Sequence, residues 1–308
     1  MRYKSAGEYY RDLFGSKVYR VALDAGCTCP NRDGKAGIGG CIFCSGSGSG
    51  EFAADRALSV AKQLEQAKEK VSAKITSHKY IAYFQNFSNT YGDEDVLSKK
   101  YEEAISDPEV VGISIATRPD CISEKMYGIL KALSEKTYVW VELGLQTIHE
   151  STASWMNRGY PLDVFQDTVL HLSSIGPRLQ VIVHVILDLP GETKEQMLQT
   201  IDYVSSLPVH GIKIANLNIL EGSRLATIYR EDPFPLLDLE AYLALLSECV
   251  RRLRPDIVIY RMTGDGDKSI LIAPIWVANK RAVRNRTAHY FEEHDVNQGS
   301  LWSGKLLY

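Results

Sequence analysis

Six strand-like segments, each followed by a helix-like one, limit what this chain can fold into more than any other feature of its sequence. Residues 179–189, LQVIVHVILDL, are a nearly continuous apolar run, the mark of a strand buried on both faces. Residues 18–23, 79–85, 110–117, 138–145 and 211–220 supply five more strands. Between them, Ala57, Val60, Ala61, Leu64, Ala67 and Val71 recur at helical spacing, and Asp93 and Ser123 stand where helix caps belong. Residues 163–174 read as a helix, and Thr193 with Gln196 makes a capping box for the next. A longer helix carrying Leu239, Tyr242, Leu243, Leu246, Val250 and Leu253 closes the sixth unit. These spacings suit right-handed crossovers, so the sheet is expected to be parallel. A partial barrel and a doubly wound sheet both satisfy the pattern. In either, ligands bind at the C-terminal ends of the strands.

Residues 27–52, CTCPNRDGKAGIGGCIFCSGSGSGEF, hold four of the six cysteines among glycines. Cys29, Cys41 and Cys44 read C-x11-C-x2-C; counted from Cys27 the spacing is C-x13-C-x2-C. The C-x2-C step brings two thiolates to one centre, and the glycine-rich span lets a third fold back over it. Soft thiolates select zinc or an iron–sulfur cluster. Four would close a structural zinc site, whereas three on a [4Fe–4S] cluster leave one iron open to an outside ligand. Cys27 and Cys29 are one residue apart and reach one metal together only with strain, and a single apolar strand leads into the loop. Both details favour the open cluster. Cys121 and Cys249 read as small buried hydrophobes. Cysteines gathered in one loop suit a metal site in a reducing compartment. With no signal-like N-terminus and no apolar run of membrane length, a cytoplasmic location is expected. At 308 residues and 45% hydrophobic content the chain can bury one barrel with a modest extension, and its net charge of −3 leaves any RNA contact to a local patch.

The segments TCPNRDG and GGCIFC, with Phe43 just before the last cysteine and GSGEF following, resemble the radical SAM proteins related to the catalytic subunit of Elongator. Within that group the resemblance is to the short bacterial YhcC/YtqA (MnmL) branch, and it covers nearly the whole chain. It implies an α/β fold: a partial (β/α)6 radical SAM barrel over residues 1–255, with its cluster loop at 27–52, and a short C-terminal α/β extension over residues 256–308. It further implies a [4Fe–4S] cluster on Cys29, Cys41 and Cys44, with S-adenosylmethionine (SAM) as the second cofactor.

Candidates for holding SAM fall at strand ends. Gln85 and Asn86 follow the second strand, in what is otherwise an ordinary polar loop. Arg118 sits beside Pro119, which keeps it extended. Glu142 and Gln146 lie at the end of the fourth strand, where an apolar strand does not take a carboxylate without a partner. Arg158 is a candidate clamp for the SAM carboxylate, against a solvated helix-end charge. Asp188 lies in LDLPGET, which resembles an adenine-contacting region. Glu142 and His184 are the catalytic candidates, although His184 also reads as a satisfied core histidine. Lys213 and Asn216 are candidates for substrate. The related pattern carries histidines where Asn216 and Asn218 stand; here amides take those places, a type that can read a uridine-like substrate. Lys280, Arg281 and Arg284 belong to the densest basic run and are candidates for an RNA backbone, or else form a solvated face.

The resemblance implies action on the wobble uridine of tRNA, specifically conversion of 5-carboxymethylaminomethyl(-2-thio)uridine to the aminomethyl form. It implies tRNA and an electron donor such as a flavodoxin or ferredoxin as partners. Two alternatives stand beside it: a radical SAM enzyme with another substrate, and a non-catalytic zinc-dependent RNA-binding module using Cys27 as a fourth ligand.

Overall fold

The computed structural model describes residues 2–46, 48, 53–73, 75–264 and 266–307. Glu51 and Phe52 of the cluster loop, and Asp265 of the C-terminal segment, lie outside the described residues. The strands are β1 (Tyr19–Leu23), β2 (Tyr80–Phe84), β3 (Val110–Thr117), β4 (Tyr138–Gln146), β5 (Leu179–Leu187), β6 (Gly211–Asn216), β7 (Ile219–Leu220), β8 (Val258–Arg261) and β9 (Leu271–Ala273). Seven of them form one parallel sheet in the order β1-β2-β3-β4-β5-β6-β8, while β7 and β9 pair antiparallel. This is the half-barrel form of the expected α/β fold, with a seventh strand drawn from the segment expected to be an extension. The apolar run at 270–277 is a strand only over Leu271–Ala273 and then turns into a short 3-10 helix at Ile275–Ala278.

Five of the helices pair an apolar stripe with a side-chain-capped N-terminus, whereas Leu162–Ile175, which carries Phe165, starts at Pro161 without one. Ser59, Asp93, Ser123, Thr193 and Asp238 each accept from a backbone N–H of the turn they open. Their buried faces pack on the outer side of the sheet. Leu64, Leu130, Phe165, Ile201 and Leu246 meet Val21, Ile113, Val141, Val183 and Ile212 in one core.

The other face of the sheet lines the lumen, and the two-residue period of a strand layers it. At the N-terminal ends of the strands, Ile81, Trp140 and Ile182 form a dry plug with Tyr10 of the N-terminal helix Ala6–Phe14. Tyr10 packs edge-on against Trp140 at 5.5 Å. Gly112 and Gly211 make room for this plug: a Cβ on Gly112 would lie 2.5 Å from the Trp140 ring, and one on Gly211 would lie 2.4 Å from Tyr260. The terminal segments meet at the same end, through an ion pair of Arg2 with Asp295 and a hydrogen bond from Gln298 N to Arg2 O. Among the described residues, no helix is long and apolar enough to cross a membrane.

Candidate active site

Above the plug, at the C-terminal ends of the strands, lies a cavity of about 490 Å³ roofed by the loop that follows β1. Cys29, Cys41 and Cys44 all line it. The loop is shaped by its own backbone: Arg32 N donates to Cys29 O at 2.8 Å, Gly40 N to Asn31 O at 2.7 Å and Cys44 N to Cys41 O at 3.0 Å. Ile42, between the last two cysteines, anchors it in a small core with Met156, Leu217, Ile219 and Leu225. Asn157 donates to Gly40 O at 2.8 Å, and Asn31 Nδ2 points at Cys41 Sγ from 3.6 Å. Cys27 faces elsewhere. It is packed in the main core and lines a second cavity with Cys121, and burial pushes its thiol up to about 11. The four-thiolate arrangement of a zinc module is therefore not assembled.

Between plug and loop is a layer of charge around Glu142, which is fully buried. Arg20 Nη2 donates to one carboxylate oxygen, which also accepts from Ser114 Oγ at 2.7 Å. The other oxygen accepts from Tyr83 OH at 3.0 Å and from Lys213 Nζ, and lies 2.7 Å from His184 Nε2. Burial alone would raise the Glu142 pKa. Arg20, Lys213 and His184 more than offset it, and the carboxyl is held well below the usual range. Burial brings Lys213 down to about 7, against the pull of Glu142. His184, Lys213 and Arg261 are direct cross-strand partners on β5, β6 and β8, so strand register sets the row.

The remaining candidates divide. Gln85, Arg118, Gln146 and Asn216 line the cavity with the cysteines and the charged layer. Arg118 is fixed by a two-point bond to Asp120 at 2.9 and 2.7 Å, and Asn216 Oδ1 accepts from Gly264 N at 2.8 Å. Arg158 also reaches the cavity wall, but its guanidinium is used by the protein. It bonds the carbonyls of Tyr160, Leu145 and Thr147 and the carboxylate of Glu150, at 2.7–3.2 Å. That geometry makes it a brace for the crossover after β4 and not a carboxylate clamp. Asn86 bonds Asp24 Oδ2, and Asp188 accepts from Leu237 N at 2.8 Å; neither is on the cavity lining. Lys280, Arg281 and Arg284 are exposed on the helix Lys280–Glu293, away from that lining. Arg286 in the same run is tied to Glu240 and Glu293.

Residues 29–204 match the Radical SAM superfamily, and residues 209–293 match the Radical_SAM C-terminal domain. The chain belongs to the radical SAM superfamily. It is 39% identical to protein YtqA of Bacillus subtilis strain 168 over 301 residues, 98% of this chain and 93% of that one. It is 24% identical to Elongator complex protein 3 of Schizosaccharomyces pombe over 66% of this chain and 37% of that one. The structure of archaeal Methanocaldococcus infernus Elp3 superposes with a TM-score of 0.69 at 17% identity, covering 91% of this chain and 64% of that chain. That likeness is one of fold.

Radical SAM proteins use a [4Fe–4S] cluster and SAM, and the residues present fit both. Three soft donors share one wall, and an amide N–H is aimed at one of the sulfurs. Close by, Gly48 lets the loop approach Phe87, where a Cβ would lie 2.4 Å from the ring. Several residues of this radical SAM site escaped the sequence. Arg20, Tyr83 and Ser114 sit on lumen-facing positions of β1, β2 and β3, and their only signal was a polar residue alternating within an apolar strand. Asn31 and Asn157 gave no signal.

Burial also keeps His184 and His210 neutral, each with its pKa pushed down to about 4. Both then bind fewer protons folded than unfolded between about pH 6.5 and 4. Stability therefore falls as the pH drops through that window, each ring contributing up to about 1.4 kcal/mol for every pH unit crossed. Denaturant unfolding from pH 7 to 4.5 should show a loss of a few kcal/mol. His210→Phe should flatten part of it, and a flat profile would contradict the buried neutral rings.

Proposed function

We propose that this radical SAM enzyme modifies the wobble uridine of tRNA in the cytoplasm, converting 5-carboxymethylaminomethyl(-2-thio)uridine to the aminomethyl form. The observation that carries this reading is a cavity with three cysteines on one wall and the Glu142 layer beneath, sized for small ligands and not for a polymer. Kinship with Elongator complex protein 3 and with a probable threonylcarbamoyladenosine tRNA methylthiotransferase of Methanocaldococcus jannaschii supports tRNA as the substrate. When bound, the cluster and SAM supply one-electron reduction and a radical able to take hydrogen from a substrate carbon.

The protein's part is positioning. Cys29, Cys41 and Cys44 hold the cluster, while Gln85, Gln146 and the Asp120-braced Arg118 orient SAM. Glu142 fixes His184 and Lys213 beneath the base, and Asn216 meets its polar edge. Lys280, Arg281 and Arg284 hold the RNA backbone outside, and a flavodoxin or ferredoxin delivers the electron.

Nucleoside analysis of tRNA from a deletion strain tests this. The carboxymethylaminomethyl nucleoside should accumulate and the aminomethyl form should disappear. An unchanged profile overturns the reading. If 5′-deoxyadenosine release by the reconstituted enzyme were indifferent to tRNA, a different substrate would be indicated.

A further inference from the structure

The cysteine wall accounts for one side of the cavity, but not for the charge at its floor. On a chain of net charge −3, the described residues lining this cavity include six cationic side chains and a single carboxylate, Glu142. Those near the loop are directed into the protein: Arg32 to the carbonyls of Cys44 and Ser45, Arg118 to Asp120, and Arg158 to backbone carbonyls and Glu150. The deep layer is different. Arg20 takes one oxygen of Glu142 and Lys213 takes the other, so two cations share one negative charge. His184 adds none, because burial keeps it neutral. Arg20 is tied down from both sides, bonded to Ser114 at 2.9 Å and stacked 4.0 Å over the Tyr83 ring. The imbalance therefore falls on Lys213, which faces the cavity with Arg261 as its cross-strand neighbour. A buried surplus of positive charge is relieved either by loss of the Lys213 proton or by an anion that completes it, and the cavity leaves room for the anion.

We infer that Lys213, with Arg261 beside it, binds a carboxylate carried by the substrate at the floor of this cavity. The carboxylate's carrier, a carboxymethylamino group on uridine, rests on the function proposed above; the demand for an anion does not. A phosphodiester backbone stays at the mouth of a site this size, so only a group projecting from the base reaches the floor. The ionic contact holds while Lys213 keeps its proton. The groups facing it are Glu142, Arg20, Tyr83, His184 and Arg261; burial first, and then Arg20 and Arg261, bring its pKa down to about 7 against the pull of Glu142.

The test uses anaerobically reconstituted enzyme and anticodon stem-loops whose wobble uridine carries the carboxymethylaminomethyl group, its methyl ester, or the aminomethyl group. Binding is measured at one fixed salt concentration. Wild type should prefer the free carboxylate about tenfold or more, the scale of a charge-assisted hydrogen bond. Lys213→Met and Arg261→Met should each erase most of that preference, and Lys213→Arg should keep it. In wild type the preference should weaken from pH 6 to 8.5, whereas Lys213→Arg should be flat because arginine does not titrate there. Lys213→Met leaves Glu142 paired one-to-one with Arg20, and Arg261 is half-buried, so the two variants do not share a folding risk. Equal binding of the three RNAs by wild type, or Met variants that keep the preference, overturns the carboxylate floor and leaves the wobble-uridine reading standing. Competition by inorganic phosphate but not by acetate overturns it in favour of a phosphate. Failure of wild type to bind any of the three RNAs overturns both.

Discussion

Cys41→Ala is expected to leave the purified chain nearly free of iron and unable to cleave SAM, while Cys27→Ala keeps both properties. The two residues look alike in sequence, each a cysteine within the same glycine-rich stretch, but the structure separates them. Cys41 lines the cavity with Cys29 and Cys44, and Asn31 Nδ2 points at its sulfur. Cys27 is buried in the main core and lines a different cavity, with Cys121 and Lys100. Losing one of three thiolates leaves a cluster with two protein ligands. Iron per chain should drop from about four to well under one, and 5′-deoxyadenosine should fall to background. Cys27→Ala removes one buried sulfur at the edge of the core, which costs some stability but no ligand. Anaerobic iron and sulfide assays with a visible spectrum read the difference. A brown, iron-loaded Cys41→Ala protein, or a colourless Cys27→Ala protein that is still folded, would contradict the assignment.

Glu142→Gln should be the most damaging single change outside the loop. Among the described residues the carboxylate is the one negative charge in a layer that holds Arg20 and Lys213, and removing it strands both cations inside the barrel. Their responses differ. Lys213, already brought down to about 7, sheds its proton readily. Arg20 cannot, because a guanidinium stays charged. The uncompensated arginine sets the cost at about 3–5 kcal/mol, or a melting temperature lower by roughly 10 °C for a chain this size. A second substitution identifies the cause. Arg20→Met placed on Glu142→Gln should recover most of the loss, whereas Lys213→Met on the same background should recover little. Additive losses in the Arg20 double variant would show that the ion pair is not the source.

The strands showed themselves through composition, because a parallel sheet covered on its outer face needs apolar runs such as VIVHVIL. One strand did not. β8 is four residues long and follows a helix closely, so it had neither length nor alternation to separate it from a loop. The run at 270–277 is longer, but Pro274 offers no N–H to continue a ladder there. In the site, Glu142 was conspicuous because a carboxylate in an apolar strand calls for a partner. Which partner was hidden: Arg20 and Lys213 lie 122 and 71 residues away and meet it only through sheet order. Arg158 misled for a similar reason. Its environment is decided by the carbonyls of Leu145 and Thr147, which the turn after β4 leaves without strand partners, and no local spacing records that. Cys29 was preferred to Cys27 because the resemblance implies it, the one-residue spacing arguing only against both binding together; in the fold the earlier side chain is buried in the core while Cys29 lines the cavity.

The clasp of Arg2 and Gln298 lies beside the aromatic plug, at the opposite end of the lumen from the cysteine loop. Leu307 N donates to Ser206 O, where the helix that leads into β6 ends, so an affinity tag, a surface tether or a fluorophore joined through either terminal segment would hang below the closed end. Immobilised that way, the molecule would present its entrance to the bulk solution, and a macromolecule approaching from above would meet no steric obstacle from the attachment.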